Sequence, residues 1–145
     1  MNKKYLLDVN VLAALTSDEH EHYQKAHDWF DPLSDDEWAL CPLTEAGYLR
    51  LAANPATRVG PGSIKRATEV LAEMASLPGY RYWPTTDTWV ELTAPFADRI
   101  FGHQQVTDAY LFGLAIQNDG VLVTFDRGMK YMAGPEFSHN LLILE

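Results

Sequence analysis

The sequence predicts an α/β fold: a three-layer α/β/α arrangement around a central, mostly parallel sheet, with residues 1–145 forming a single domain. Three observations lead there. Short apolar runs alternate with longer segments whose apolar residues recur at helical spacing. The segments between runs are long enough to hold a crossover helix, which parallel strands require and hairpins do not. No internal repeat or low-complexity tract interrupts the pattern.

The elements follow in order. Tyr5 to Leu7 reads as a first strand and Val9 to Leu15 as a short helix. A helix from about Glu21 to Phe30 places Tyr23, Ala26, His27 and Phe30 on one face, and Asp31-Pro32 stops it. The acidic loop Ser34 to Glu37 leads into a second strand, Trp38 to Cys41, and Pro42 opens a helix that reaches Asn54-Pro55. Gly60-Pro61-Gly62-Ser63 is a loop before a helix from Ile64 to about Leu77. Pro78-Gly79 turns the chain into a strand at Tyr80 to Trp83, and a helical stretch broken at Pro95 comes next. A strongly apolar helix runs from about Thr107 to Asn118 and ends at Asp119-Gly120. Val121 to Val123 and Leu141 to Leu144 complete the strands.

Composition limits the function. Eleven Lys and Arg face twenty Asp and Glu, a net charge of −9, so bulk attraction to phosphate is excluded as a binding principle. A nucleic-acid substrate would need a cation between itself and the acids. The lone Cys41 excludes an internal disulfide and a cysteine-rich zinc site. No apolar run approaches the roughly 18 residues of a membrane span, and the N-terminus lacks a signal-peptide core, so a soluble cytoplasmic protein is expected.

Ligands of an open parallel sheet bind beyond the carboxyl ends of its strands. Asp8 ends the first strand, Glu45 falls in the first turn after the second, and Asp126 follows the run VLVTF. Asp108, in the first turn of the apolar helix, can join them. Singly, each aspartate has a plainer role: Asp8 as a helix cap, Asp108 as a partner of a helix dipole, Asp126 as a turn residue before Gly128. Glu45 is less easily explained, because Tyr48, Leu49 and Ala52 place it on an apolar stripe with no Lys or Arg three or four residues away. Four converging acids would repel one another unless a cation is bound, and an oxygen-only donor set selects hard ions such as Mg²⁺ or Mn²⁺. Such a centre suits phosphodiester hydrolysis.

The ordered set LLDVNVLAAL, PLTEAGYLRL, VTDAYLFGLA and VTFDRGM resembles the PIN-domain family of nucleases, and most of all the VapC-type toxins of bacterial toxin-antitoxin pairs. The motifs fall in order between Leu6 and Met129. The resemblance implies that Asp8, Glu45, Asp108 and Asp126 hold one or two divalent ions, with Asn10, Thr107 and Thr124 in support. Asp8, Asp108 and Asp126 would ligate directly, whereas Glu45 would act through water. The implied activity is metal-dependent endoribonuclease cleavage of RNA such as tRNA or rRNA, in a homodimer held in check by a cognate antitoxin. Many members carry a further acid two residues beyond the position of Asp126. Here that residue is Gly128, so one ion is better supported than two.

Two other functions fit parts of the pattern. A haloacid-dehalogenase-type phosphatase also begins with a strand ending in Asp, but it wants a second acid where this chain has Asn10. A non-catalytic module could use the acids to recognise a basic partner segment. His20 and His22 read as a solvated helix start, and His103 as a substrate contact or a loop cap. Arg50, Arg58, Lys65, Arg66, Arg81, Arg99, Arg127 and Lys130 are the candidate phosphate contacts. Tyr48, Trp83 and Trp89 are candidate base-stacking rings, with core packing as the alternative.

Overall fold

The computed structural model describes residues 2–145. Strand β1 (Lys4–Leu7) leads directly into α1 (Val9–Thr16), and α2 (Tyr23–Phe30) precedes β2 (Glu37–Leu40). Helices α3 (Pro42–Ala52) and α4 (Ile64–Ala75) are followed by β3 (Tyr80–Tyr82). Next come α5 (Trp89–Thr93), a 3₁₀ segment at Ala94–Arg99 and α6 (Val106–Gln117). The chain ends with β4 (Val121–Thr124), α7 (Met129–Ala133) and β5 (Leu141–Ile143).

The five strands form one wholly parallel sheet in the order β3-β2-β1-β4-β5. Leu6 of the central strand is in register with Ala39 on one side and Leu122 on the other. Side chains alternate across a strand, so each residue is assigned to one face. Tyr5, Leu7, Trp38, Leu40 and Val123 pack with the apolar sides of α1 to α4, including Leu12, Ala26, Tyr48 and Ala67. Leu6, Ala39 and Leu122 pack on the opposite face with Phe96 and with α6 and α7, through Leu111, Phe112 and Met132. These are the three layers predicted.

Local signals explain the boundaries. Asp8 accepts a hydrogen bond from the Val9 amide and caps α1, Pro42 occupies the start of α3, and the Ser63 hydroxyl accepts from the Arg66 amide at the head of α4. Thr88 and Glu91 close a reciprocal capping box on α5. Two expectations are corrected. Helix α2 begins at Tyr23 rather than Glu21, because His20 to His22 are held in a turn in which the His22 amide donates to His20 Nδ1. Residues 129–133, not predicted as an element, form α7, with Met129, Met132 and Ala133 buried and Lys130 and Tyr131 exposed.

Helices α5 and α6 meet backbone to backbone. A Cβ at Gly113 would lie 2.6 Å from the Leu92 carbonyl oxygen, so only glycine permits this approach. Gly113→Ala should therefore destabilise the protein by about 1–3 kcal/mol through overpacking. Leu122→Ala, which empties a fully enclosed site in the central layer, should cost about 2–5 kcal/mol. Urea unfolding followed by circular dichroism checks both values.

Candidate active site at the carboxyl edge of the sheet

Parallel pairing of β1 with β4 brings Asp8 and Thr124 to the same edge. The Thr124 hydroxyl donates to Asp8 Oδ2 at 2.8 Å and accepts from the Asp126 amide at 3.1 Å. Asp8 Oδ1 accepts from the Val9 amide at 2.7 Å, and Asp126 Oδ1 accepts from the Gly128 amide at 2.8 Å. One threonine thus links two carboxylate-bearing strand ends. The cap at Asp8 and the turn at Asp126 are both real, and they serve to orient the same acids.

Asp8 is only 8% exposed, and among the described residues it has no cationic partner. Burial raises its pKa, with a further contribution from Asp126 that the Thr124 and Val9 hydrogen bonds oppose. Asp108, half-buried in the first turn of α6, has its carboxyl pushed up to about 6 by burial and then by the charges of Asp8 and Asp126. The structure therefore brings these three aspartates within electrostatic reach of one another. They stand apart nonetheless: among the described residues no three acidic, histidine or cysteine side chains lie close enough together to hold a metal ion.

The other predicted residues divide. Thr44 donates from its buried hydroxyl to the Leu7 carbonyl at 2.9 Å, docking the first turn of α3 against the end of β1. That places Glu45 near the edge, half-buried, but its charge registers at Tyr80 rather than at the aspartates. Asn10 and Thr107 are exposed, and among the described residues neither hydrogen-bonds to the three carboxylates. Asn10 instead lines an open groove of about 320 Å³ with Gly47, Arg50 and Asn54, on the side where α3 crosses α1. A Cβ at Gly47 would lie 2.5 Å from Val9 Cγ2, so the crossing is as close as a glycine allows. His103 is exposed in a 3₁₀ turn ahead of α6.

The reading of His20 and His22 as a solvated helix start is corrected. Both rings lie against Phe125, with centroids 6.3 and 4.6 Å away, so they flank the residue between Thr124 and Asp126. Sequence separation of a hundred residues hid this contact. Tyr48 and Trp83 are core residues, and Trp89 is half-buried against Tyr110. The exposed aromatics are others, Tyr82, Phe101 and Tyr131.

An oxygen-only set around a buried carboxylate that lacks a cation fits a hard divalent ion. The electrostatics can be tested without one. The pKa of Asp108 is above its ordinary 3.8, so the folded state holds that proton more tightly than the unfolded chain does. The associated stability is complete below about pH 4 and is lost as pH rises through about 6. In chelator, Asp108→Asn should be more stable than the parent at pH 7.5 by about 1 kcal/mol, allowing for water at the half-buried carboxylate, and should converge with it near pH 4. Urea midpoints at the two pH values check the sign.

Known proteins share this fold and much of this sequence. The PIN domain matches residues 5–135. Ribonuclease VapC39 of Mycobacterium tuberculosis is 40% identical over 124 residues, covering 86% of this chain and 89% of the relative. Ribonuclease VapC38 of the same organism is 39% identical over 128 residues, covering 88% and 89%. VapBC2 from Rickettsia felis, solved bound to a DNA fragment from its promoter, superposes with a TM-score of 0.64 at 14% identity, over 98% of this chain and 99% of the other. VapC20 of M. tuberculosis, a toxin that cleaves the sarcin-ricin loop, gives 0.59 at 13% identity over 80% and 84%. With a domain match over most of its length and relatives of this identity and coverage, the chain belongs to the PIN-domain family, in its VapC branch.

Proposed function

We propose that this protein is a metal-dependent endoribonuclease that hydrolyses RNA phosphodiester bonds as the toxin of a type II toxin-antitoxin system, working as a single domain over residues 1–145. The observation that carries the reading is the convergence of Asp8, Asp108 and Asp126 at one sheet edge, with Asp8 buried and unpaired by any described cation. VapC ribonucleases at 34–40% identity support it. The structural likeness to a VapBC complex supports a cognate antitoxin as partner, and a homodimer is proposed with it.

In this proposal Asp8, Asp108 and Asp126 supply carboxylate oxygens to Mg²⁺ or Mn²⁺. A bound divalent ion there lowers the pKa of water and stabilises charge on phosphoryl oxygens. Thr124 holds Asp8 Oδ2 in place, and the Gly128 amide fixes Asp126 Oδ1. Glu45 would contact the ion through water or help to activate the attacking water, whose oxygen bonds to phosphorus in line as the bond to the leaving nucleotide oxygen breaks and leaves its electron pair on that oxygen. Asn10 and Thr107 orient substrate or water at the rim. With Gly128 where a further acid would stand, one ion is favoured over two.

Asp8→Asn should lower cleavage of structured RNA such as tRNA or rRNA by at least about 100-fold while leaving the fold intact, because it removes charge and little volume. Cleavage at the parental rate in excess Mg²⁺ or Mn²⁺ would sink the assignment. Mn²⁺ at about 100 times its Kd should add about 2.7 kcal/mol to the parent's stability. Asp108→Asn should lose most of that gain, as read by thermal unfolding with and without the ion.

A further inference from the structure

Beyond the reaction itself, and resting on the ribonuclease reading, we propose that Phe101 and Tyr131 form a platform on which unpaired bases of the RNA stack beside the acidic edge. They are the most exposed aromatic side chains among the described residues, at 67% and 64%, and their rings touch at a centroid distance of 5.3 Å with a 44° tilt. An open pair of rings offers π-faces that any base can cover. Their positions tie them to the site: Phe101 lies in the segment that leads into α6 and Asp108, and Tyr131 stands on α7, just past the Asp126 turn.

The platform is built rather than incidental. Arg99, two residues before Phe101, donates from Nη1 to the Ala133 carbonyl at 3.3 Å and from Nη2 to Glu136 at 2.8 Å, clamping the Phe101 segment to the end of α7. Gly134 has a φ of +62°, and a Cβ there would fall 2.7 Å from Arg99 Cζ, so glycine leaves room for the guanidinium. On the other side the Phe101 amide donates to Gln105 Oε1 at 2.7 Å, fixing the turn ahead of α6. Rings held this way lose little freedom when a ligand covers them.

Charge selects the occupant. The chain has only eleven Lys and Arg, yet two of them, Arg127 and Lys130, lie between Asp126 and Tyr131. Both are well exposed, and their nitrogens stand 3.6 and 3.8 Å from the Glu145 carboxylate, a loose pairing that a phosphate can replace. Exposed cations next in sequence to an exposed ring suit a single strand, which presents phosphates and open bases together. Bases stacked inside a duplex cannot reach the rings, so the platform favours cuts next to looped or bulged nucleotides.

Full-length protein carrying Asp8→Asn, which binds without cutting, should be titrated into three fluorescent 12-mers: single-stranded RNA, the same strand in a perfect duplex, and an abasic ribose-phosphate strand. Phe101→Ala and Tyr131→Ala, each added to that background, should weaken single-strand binding by about 5- to 50-fold and leave abasic binding unchanged, while Tyr131→Phe retains affinity. In the active protein the alanine variants should raise KM and keep kcat. Equal affinity of the alanine variants and the parent for single-stranded RNA would overturn the platform, as would an equal loss on the abasic strand. So would sedimentation showing that the variants convert a dimer to monomers or lose antitoxin, which would make the surface a protein interface. If no RNA is cut under any condition but ring-dependent binding persists, the ribonuclease reading fails and the platform stands. If RNA is cut with ring-independent KM, the reverse holds.

Discussion

The hydrogen bond from Thr124 to Asp8 carries the rest of the arrangement. It crosses between the neighbouring strands β1 and β4 at the point where both stop, and it lies in a buried setting where an unmade bond to a carboxylate would be costly. Through the same hydroxyl the Asp126 amide is held, so the direction in which the chain leaves β4 depends on the side chain that ends β1. The sheet register places the two residues opposite each other. The hydroxyl converts that register into an orientation of acids.

Local hydrogen bonds fix two of the aspartates at the same edge. Asp8 caps α1 with one oxygen and meets Thr124 with the other. Asp126 closes its turn through Oδ1, and its charge helps to raise the pKa of Asp8 and Asp108. Local bonds of this sort hold the carboxylates where their mutual repulsion would otherwise drive them apart. A cation bound at this edge, as proposed, would relieve the repulsion among them.

Much of this was legible in the sequence. Alternating periods gave the layers, and the rule that ligands gather beyond parallel strand ends singled out Asp8, Glu45 and Asp126, with Asp108 joining them only if α6 starts at the same edge. Glu45 was harder, because its apolar stripe shows which way it faces on α3 but not how far α3 stands from the aspartates. Its effect is felt at Tyr80 instead. The five-residue α7 escaped notice because a single turn between Gly128 and Gly134 has too few residues to show a period. The packing of His20 and His22 on Phe125, and the exposure of Phe101 and Tyr131, depend on contacts between distant segments that no local pattern encodes.

The close crossing at Gly47 has a consequence for how the protein meets its surroundings. What keeps α1 and α3 together there is contact between a backbone and the methyl groups of Val9, and the neighbouring tie is the neutral bond from Thr44 to Leu7. Neither is electrostatic in the sense that dissolved ions screen. Concentrated salt therefore softens the repulsion among the carboxylates, and across a chain of net charge −9, without loosening the frame that positions them. Acidic residues mounted on apolar packing keep their places at salt concentrations that weaken exposed ion pairs.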